Sequence, residues 1–430
     1  MRVLLCSLAV PWPSRPRLGI FHVHQAHALE ALGSRVEFFA PGPGVPPWLG
    51  RLCGRLRDHT ERPLAYASEG IAVHAPRTRF VFPPAVRFGL ARLAPRTVLR
   101  WAERAMRAPL DATIAAFRPD VLLAHGIMPF GELVTRAAQR HGVRCAFIEH
   151  SADDVLRLRP TTRLGAAATA CAQRAARVFV VGAPHRDWLT RTMGWTNVTL
   201  LPNGAIRAAT APPPRPSTLD GRCVVLSVAN YYRRKGFEEL VDAFDTLAAE
   251  RGDLDLHLVT AAPRSLRRRI ARARHAPRIT VHAPMSPREL LAWMAWADLF
   301  AMPSWRESFG LVYAEALAAG TPVLASSDSG FACEAELWAK DGHHPPAFIA
   351  PPHDVPALVA TLRDALGDRE RLRASAASGA QMVEERFTWE RNAQTLLAAL
   401  GEDLAQRSPR GAGDQGTRKV ITSPATTSTA

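Results

Sequence analysis

The sequence predicts an α/β fold of two doubly wound parallel-sheet domains facing across a cleft. Three observations predict it. Apolar strand segments alternate with helical patterns through the first ~200 residues, as in a parallel sheet covered on both faces. A Pro-rich break follows, containing Pro212-Pro213-Pro214 and Pro216, and reads as a linker. A second strand–helix series then opens at Cys223.

The elements follow in order. Strands are expected at Arg2–Val10, Arg35–Ala40, Ile71–Ala75, Val121–Ala124, Cys145–Ile148, Val178–Val181 and Val198–Leu201. Helices between them include Ile20–Leu32, ended by Gly33, and Leu133–Arg140, ended by Gly142; glycine suits the left-handed residue that closes a helix. The second series has strands at Cys223–Val228, Leu254–Thr260, Ile279–His282, Leu299–Met302 and Val323–Ala325. Its first helix is Phe237–Glu250, stopped by Gly252. The expected domains are therefore 1–205, a linker 206–221, a second domain 222–385 and a helix 386–400 packing back toward the first domain. Residues 401–430 are rich in Gly, Ser, Thr and Pro and are expected to be a disordered tail. Ligands of such sheets bind at the carboxyl ends of the strands.

Composition bounds the class. A chain of 430 residues suits two or three domains, and 47% hydrophobic content fits a globular protein. No run approaches the ~20 apolar residues that span a bilayer. Met1 to Val10 is superficially like a signal peptide, but Pro11-Trp12-Pro13 and an amphipathic segment follow. It is read as a first buried strand, with a cytoplasmic location. Six cysteines are scattered without a C-x-x-C pair, so neither zinc nor a disulfide framework is indicated. The net charge of +15 suggests an anionic partner. Arg264, Arg267, Arg268, Arg269, Arg272 and Arg274 mark a basic helix, and Arg79 to Arg107 mixes arginines with Phe80, Phe82, Phe88 and Trp101. The second pattern fits an interfacial helix pair, hence peripheral contact with an anionic inner membrane face. Aromatic platforms and nucleic-acid modules are missing, so nucleic acid is not an expected partner.

The most informative segment runs from Pro303 to Val323. Glu307 and Glu315 stand eight positions apart, with Ser308 and Gly310 between them and Gly320 ending the helix. Ser308 is a suitable N-cap. The amides of Phe309, Gly310 and Leu311 would then be first-turn donors at the positive end of a helix dipole, a site for phosphate. Glu315 would lie about two turns further in, roughly 12 Å at ~1.5 Å per residue. A pyrophosphate at the helix end, a sugar by Glu307 and a ribose by Glu315 fit these features, because carboxylates accept paired hydroxyl hydrogen bonds.

The string Glu307, Phe309-Gly310, Glu315, Ala318-Ala319-Gly320-Thr321-Pro322-Val323 resembles the hallmark of the family 4 retaining glycosyltransferases, which have the GT-B fold of two Rossmann-like domains. The resemblance covers roughly residues 1–400, densest over 223–325. It implies a nucleotide-sugar donor, UDP- or GDP-linked, a glycan or lipid-linked acceptor, retention of configuration, no cofactor and no metal. It places Lys235, in Arg233-Arg234-Lys235-Gly236, on the leaving phosphates; Asn230 stands where the family often has Arg, with Arg233 or Arg234 left to compensate. His150, at the end of a strand, resembles the family's sugar-facing histidine, and His125-Gly126 occupies a second, similar position. Gly19-Ile20-Phe21 resembles the first-loop segment near donor and acceptor, and Pro202-Asn203-Gly204 the junction turn. The catalytic set is thus His150, Glu307 and Lys235. The donor set is Arg234, Asn230, Ser308, Phe309, Gly310, Leu311, Glu315, Gly19 and Asn203. Such an enzyme would serve cell-surface polysaccharide or glycolipid synthesis. The alternatives are an epimerase or phosphorylase on this fold, or a non-catalytic sugar-nucleotide binder. Asp253-x-Asp255 precedes a strand instead of following one, and His22, His24 and His27 do not share one helix face; neither is read as a metal site.

Overall fold

The computed structural model describes residues 1–45, 48, 51, 54–78, 95–206 and 213–407. Sixteen strands are present among them. Ten belong to the first half: β1 (Arg2–Cys6), β2 (Arg35–Phe39), β3 (Gly42–Pro43), β4 (Ala65–Ser68), β5 (Ile71–His74), β6 (Arg77–Thr78), β7 (Val121–His125), β8 (Arg144–Glu149), β9 (Arg177–Val180) and β10 (Val198–Leu200). The second half has β11 (Cys223–Val228), β12 (Leu254–Val259), β13 (Ile279–His282), β14 (Leu299–Met302), β15 (Val323–Ser326) and β16 (Phe348–Ala350). The first sheet has the order β10-β9-β8-β7-β1-β2-β5-β4, and the second β13-β12-β11-β14-β15-β16. All pairings are parallel except β4 with β5. The α/β class with two parallel-sheet domains is the one expected.

Central strands are buried on both faces. Every residue of β7, β11, β14 and β15 is buried, which is why they read as unbroken apolar runs. Edge strands left weaker signals. Ala65-Tyr66-Ala67-Ser68 is exposed at both alanines, has little apolar alternation, and was not among the expected strands. β1 ends at Cys6, four residues before the expected Val10. The chain there turns into a loop fixed by Ser7, whose amide donates to Phe39 O at 3.0 Å. The helix after β7 starts at Phe130, three residues before the expected Leu133.

One buried cluster joins the two halves. It runs from Val3, Val23 and Leu29 through Leu396 and Leu400 to Phe309 and Tyr313. The helix Trp389–Arg407 is the connector, and it extends seven residues past the expected end at Leu400. Gln25 donates to Asn392 at 2.7 Å, Asn392 donates to Pro202 O at 2.7 Å, and Arg144 donates to Leu400 O at 2.9 Å. The Trp389 backbone and ring lie so close to Gly204 that a β-carbon there would meet them at 2.3 to 2.7 Å. Residues 408–430 of the expected tail and 207–212 of the linker lie outside the described residues.

The Arg79–Arg107 reading is corrected where it can be followed. Residues 79–94 lie outside the described residues. From Pro95 the described chain is a single helix, Pro95–Phe117. Its Leu99, Ala102, Met106, Leu110, Ile114 and Phe117 are buried against the first sheet's core, so that apolar stripe already has a partner. Among the described residues no helix is long and apolar enough to cross a membrane.

Candidate functional site

A cavity of about 220 Å³ opens between the carboxyl ends of the two sheets. Phe21, His150, Val181 and Asn203 line it from the first half. Lys235, Glu307, Ser308, Phe309, Gly310, Leu311 and Val312 line it from the second. Eight of these eleven were named from sequence as site residues; Phe21 was quoted only as a neighbour of Gly19. Val181 and Val312 were missed, and an apolar side chain at a strand or helix end carries no chemical signal by which to find it.

The helix in this cavity does not start where the sequence suggested. It spans Leu311–Ala318, and its N-cap is Gly310 in the left-handed region at φ 93°. Ser308 is therefore not the cap. The reason is Tyr313, whose hydroxyl donates to Met302 O at 2.6 Å. Its ring fills the space where a β-carbon on residue 310 would sit, at 2.3 Å, so only glycine fits. The preceding backbone is held against the next loop: Glu307 N donates to Asp328 O, and Phe331 N donates to Phe309 O, both at 3.0 Å. The first-turn amides facing the cavity are thus those of Leu311 and Val312, which no carbonyl of their own helix can reach. The Phe309 side chain is a core ring, edge-on to Phe387 at 5.0 Å. Glu315 lies one turn into the helix, not two, about 6 Å at ~1.5 Å per residue. It is half-buried, and burial pushes its carboxyl up to about 7.

The basic loop Arg233–Lys235 ends at Gly236, at φ 74°, where a β-carbon would meet Pro303 O at 2.1 Å. Lys235 reaches into the cavity and pairs with Glu307. Arg233 lies outside the cavity lining. It is bound by Glu239 at 2.7 Å and lies over the Trp305 ring at 4.6 Å. Arg234 lies outside the cavity lining and reaches across to Asp153 of the first half at 3.7 Å. Asn230 is exposed and does not line the cavity. Gly19 also lies outside the lining; it caps the helix Ile20–Ala31 at φ 66°, and a β-carbon would strike Ala9 O at 1.9 Å. Asn203 is buried in the cavity wall.

On the first-half side, His150 packs against Phe21, with ring centroids 4.8 Å apart. His150 Nε2 and His125 Nδ1 share a hydrogen bond of 2.9 Å. His22 lies over His125 with centroids 3.9 Å apart and donates from Nδ1 to Ala9 O at 2.7 Å. Burial brings His22 down to about 4 and holds His125 and His150 well below the usual histidine range. The three offer one ring nitrogen each within 4.8 Å of one another. However, His125 and His150 are nearly coplanar, at 13°, with the bonded nitrogens directed at each other. Their lone pairs lie along one line and do not converge on a point, so the set does not fit a tetrahedral cation. Asp253 and Asp255 are bound by Arg251 and Arg222.

Known proteins match this chain in sequence and in fold. Residues 90–396 match the family described as "Family 4 Glycosyltransferase in conflict systems". D-inositol 3-phosphate glycosyltransferase of Jonesia denitrificans is 34% identical over 173 residues, 38% of this chain and 39% of that protein. Its namesake from Xylanimonas cellulosilytica is 36% identical over 183 residues, 41% of each. The matches therefore span about two fifths of the length of these relatives. Sucrose-phosphate synthase of Thermosynechococcus elongatus superposes over 94% of this chain and all of its own, with a TM-score of 0.69 at 20% identity. Anabaena HepE, solved with UDP and glucose, does so over 94% of this chain and all of its own, with a TM-score of 0.66 at 18% identity. These structures share the GT-B fold. The family match covers well over half of the sequence, and the chain belongs to the family 4 glycosyltransferases.

Proposed function

We propose that this chain is a retaining transferase that moves a sugar from a nucleoside diphosphate to an acceptor hydroxyl. The observation that carries the reading is the cavity itself, where Lys235, Glu307 and the first-turn amides of Leu311 and Val312 face His150 across the two sheets. In the reaction the sugar C1–O bond to the diphosphate breaks and a C1–O bond to the acceptor forms on the same face. The acceptor proton leaves on the departing phosphate. Lys235 and the amides stabilise the charge that develops on that phosphate. Glu307 holds sugar hydroxyls, Glu315 the ribose, and His150 lies against the sugar. Arg234, at the rim, turns from Asp153 to the diphosphate. Ser308, Phe309 and Gly310 shape the floor, and Asn203 the far wall. Closure of the two halves excludes water and limits hydrolysis.

The donor is a UDP- or GDP-sugar. UDP-glucose is the first to test because a neighbour in fold was solved with UDP and glucose. The acceptor is a glycan or lipid-linked precursor of cell-surface polysaccharide or glycolipid, met at the inner membrane face. D-inositol 3-phosphate, from the relatives' names, serves as the competing acceptor. A thermal-shift screen of nucleotide sugars, followed by assay of UDP or GDP release with each acceptor, tests the proposal. Stabilisation by one nucleotide class and acceptor-dependent release are expected. No stabilisation by any nucleotide sugar, or full release in both K235A and E307A, would overturn it.

A further inference from the structure

The loops after β7 and β8 are tied together by one side chain. Glu149 accepts from Ile127 N at 3.0 Å and from Ser151 N at 2.9 Å. Those two loops carry His125 and His150, so the 2.9 Å bond between the rings is held by the backbone on both sides. His22 closes the other side of His125, fixed in turn by Ala9 O at 2.7 Å and by Ser7 Oγ at 3.2 Å.

We propose that His125 is a positioning residue for the transfer centre, holding His150 in the tautomer that carries its free proton on Nδ1. This rests on the proposed role of His150. Burial keeps both rings neutral, so one proton lies between His125 Nδ1 and His150 Nε2. Two arrangements are open. If His150 donates, the second proton of the pair sits on His125 Nε2. That atom is buried with no hydrogen-bond partner among the described residues, on a ring covered by His22. A buried N–H that nothing can reach is a permanent loss. If His125 donates, its Nε2 is a bare lone pair and the second proton sits on His150 Nδ1. That nitrogen is equally buried and without a partner, but its ring, unlike that of His125, lines the cavity, so a sugar hydroxyl entering there is the acceptor within its reach. The second arrangement defers the unsatisfied donor to the one place a ligand can satisfy it. His150 therefore acts as a neutral hydrogen-bond donor to the sugar, and His125 sets that polarity without touching substrate.

The test reads the proton directly. Nitrogen-15 spectra of histidine-labelled protein, with His150 assigned by its loss in H150A, report which ring nitrogen is protonated. Protonation on Nδ1 is expected in the wild type. H125F removes the donor and should release His150 to a mixture of tautomers. It should lower kcat about tenfold to a hundredfold while donor KM stays within about twofold. H125N places an amide N–H where Nδ1–H stood and should recover most of the rate; H125Q, with its amide one bond further out, should not. His150 protonated on Nε2 in the wild type would overturn the proposal. So would wild-type kcat in H125F when H150A is inactive. Full activity in H150A would instead remove His150 from the transfer centre, and with it the positioning role.

Discussion

Lys235 and Glu307, 72 residues apart in sequence, meet as an ion pair inside the interdomain cavity. Their side chains are only 15% and 14% exposed, so each is the main counter-charge of the other until a ligand enters. On the proposed function, a donor diphosphate would compete for the lysine and sugar hydroxyls for the carboxylate, so that substrate opens the pair. Removing one partner leaves a nearly buried charge uncompensated. K235A and E307A should therefore each melt below the wild type as well as lose transfer, by about a hundredfold or more. The charge-swapped double variant K235E/E307K separates the two effects. It restores the ion pair and should restore the melting temperature, while transfer stays lost because a carboxylate now faces the diphosphate. Activity returning together with stability would mean that the pair is purely architectural.

Much of this was legible because the physics is local. The strands β11, β14 and β15 are buried on both faces and spell apolar runs, and Gly320 ends the helix at φ 83°. The site chemistry clustered on Lys235 and Glu307 because cations and carboxylates at strand ends have few structural reasons to be there. What was not legible depends on contacts between distant segments. Ser308 has the residue type of an N-cap, but Tyr313 takes the space and moves the helix start to Leu311. Arg233 and Arg234 are adjacent and alike, yet one is bound by Glu239 and the other by Asp153 from the opposite half. His22 was set aside because its helix neighbours point elsewhere. Its partners, His125 and His150, come from the carboxyl ends of β7 and β8, about a hundred residues or more away in sequence.

Glu315 would give the proposed donor site a pH signature. Burial lifts its carboxyl to about 7. Across pH 6 to 8 it passes from a neutral acid to an anion that accepts two hydroxyl hydrogen bonds. If the anion holds the ribose, donor KM should rise as pH falls through about 7. E315Q should show a raised KM that no longer varies over that range, with kcat less affected. A pH-dependent KM that survives in E315Q would assign the titration to another group.

Away from the site, His257 and His282 share a hydrogen bond of 2.9 Å beside Trp293. Burial, with His282 adding, brings His257 from 6.5 to about 4. The folded pKa lies below the unfolded one, so its contribution is fully present above about 6.5 and is lost as pH falls toward 4. Glu149 acts in the opposite sense. Burial, with Asp154 adding, raises its carboxyl to about 7, and its contribution fades as pH rises from about 4.5 to 7. H257F removes one of the acid-sensitive groups and should narrow the drop in melting temperature between pH 7.5 and 5, with transfer at pH 7.5 unchanged. An equal drop in variant and wild type would place the acid sensitivity elsewhere.

Gly182 offers the most direct test of closure. It follows β9 on the first half, and its α-carbon faces Ser308 and Gly330 of the second. A β-carbon there would lie 2.0 Å from Ser308 O and 3.4 Å from Gly330 Cα. The backbone at φ −142° is extended and suits any residue, so the glycine is required by proximity alone. G182A should fold normally, because nothing within its own half is crowded among those close neighbours. It should hold the two halves apart by an ångström or so and misplace His150 relative to Glu307, lowering kcat/KM about a hundredfold. A larger radius of gyration by X-ray scattering in the presence of donor, with an unchanged melting temperature, is the expected companion result. Wild-type kcat/KM in G182A would show that transfer does not need the approach of the two backbones seen at Ser308.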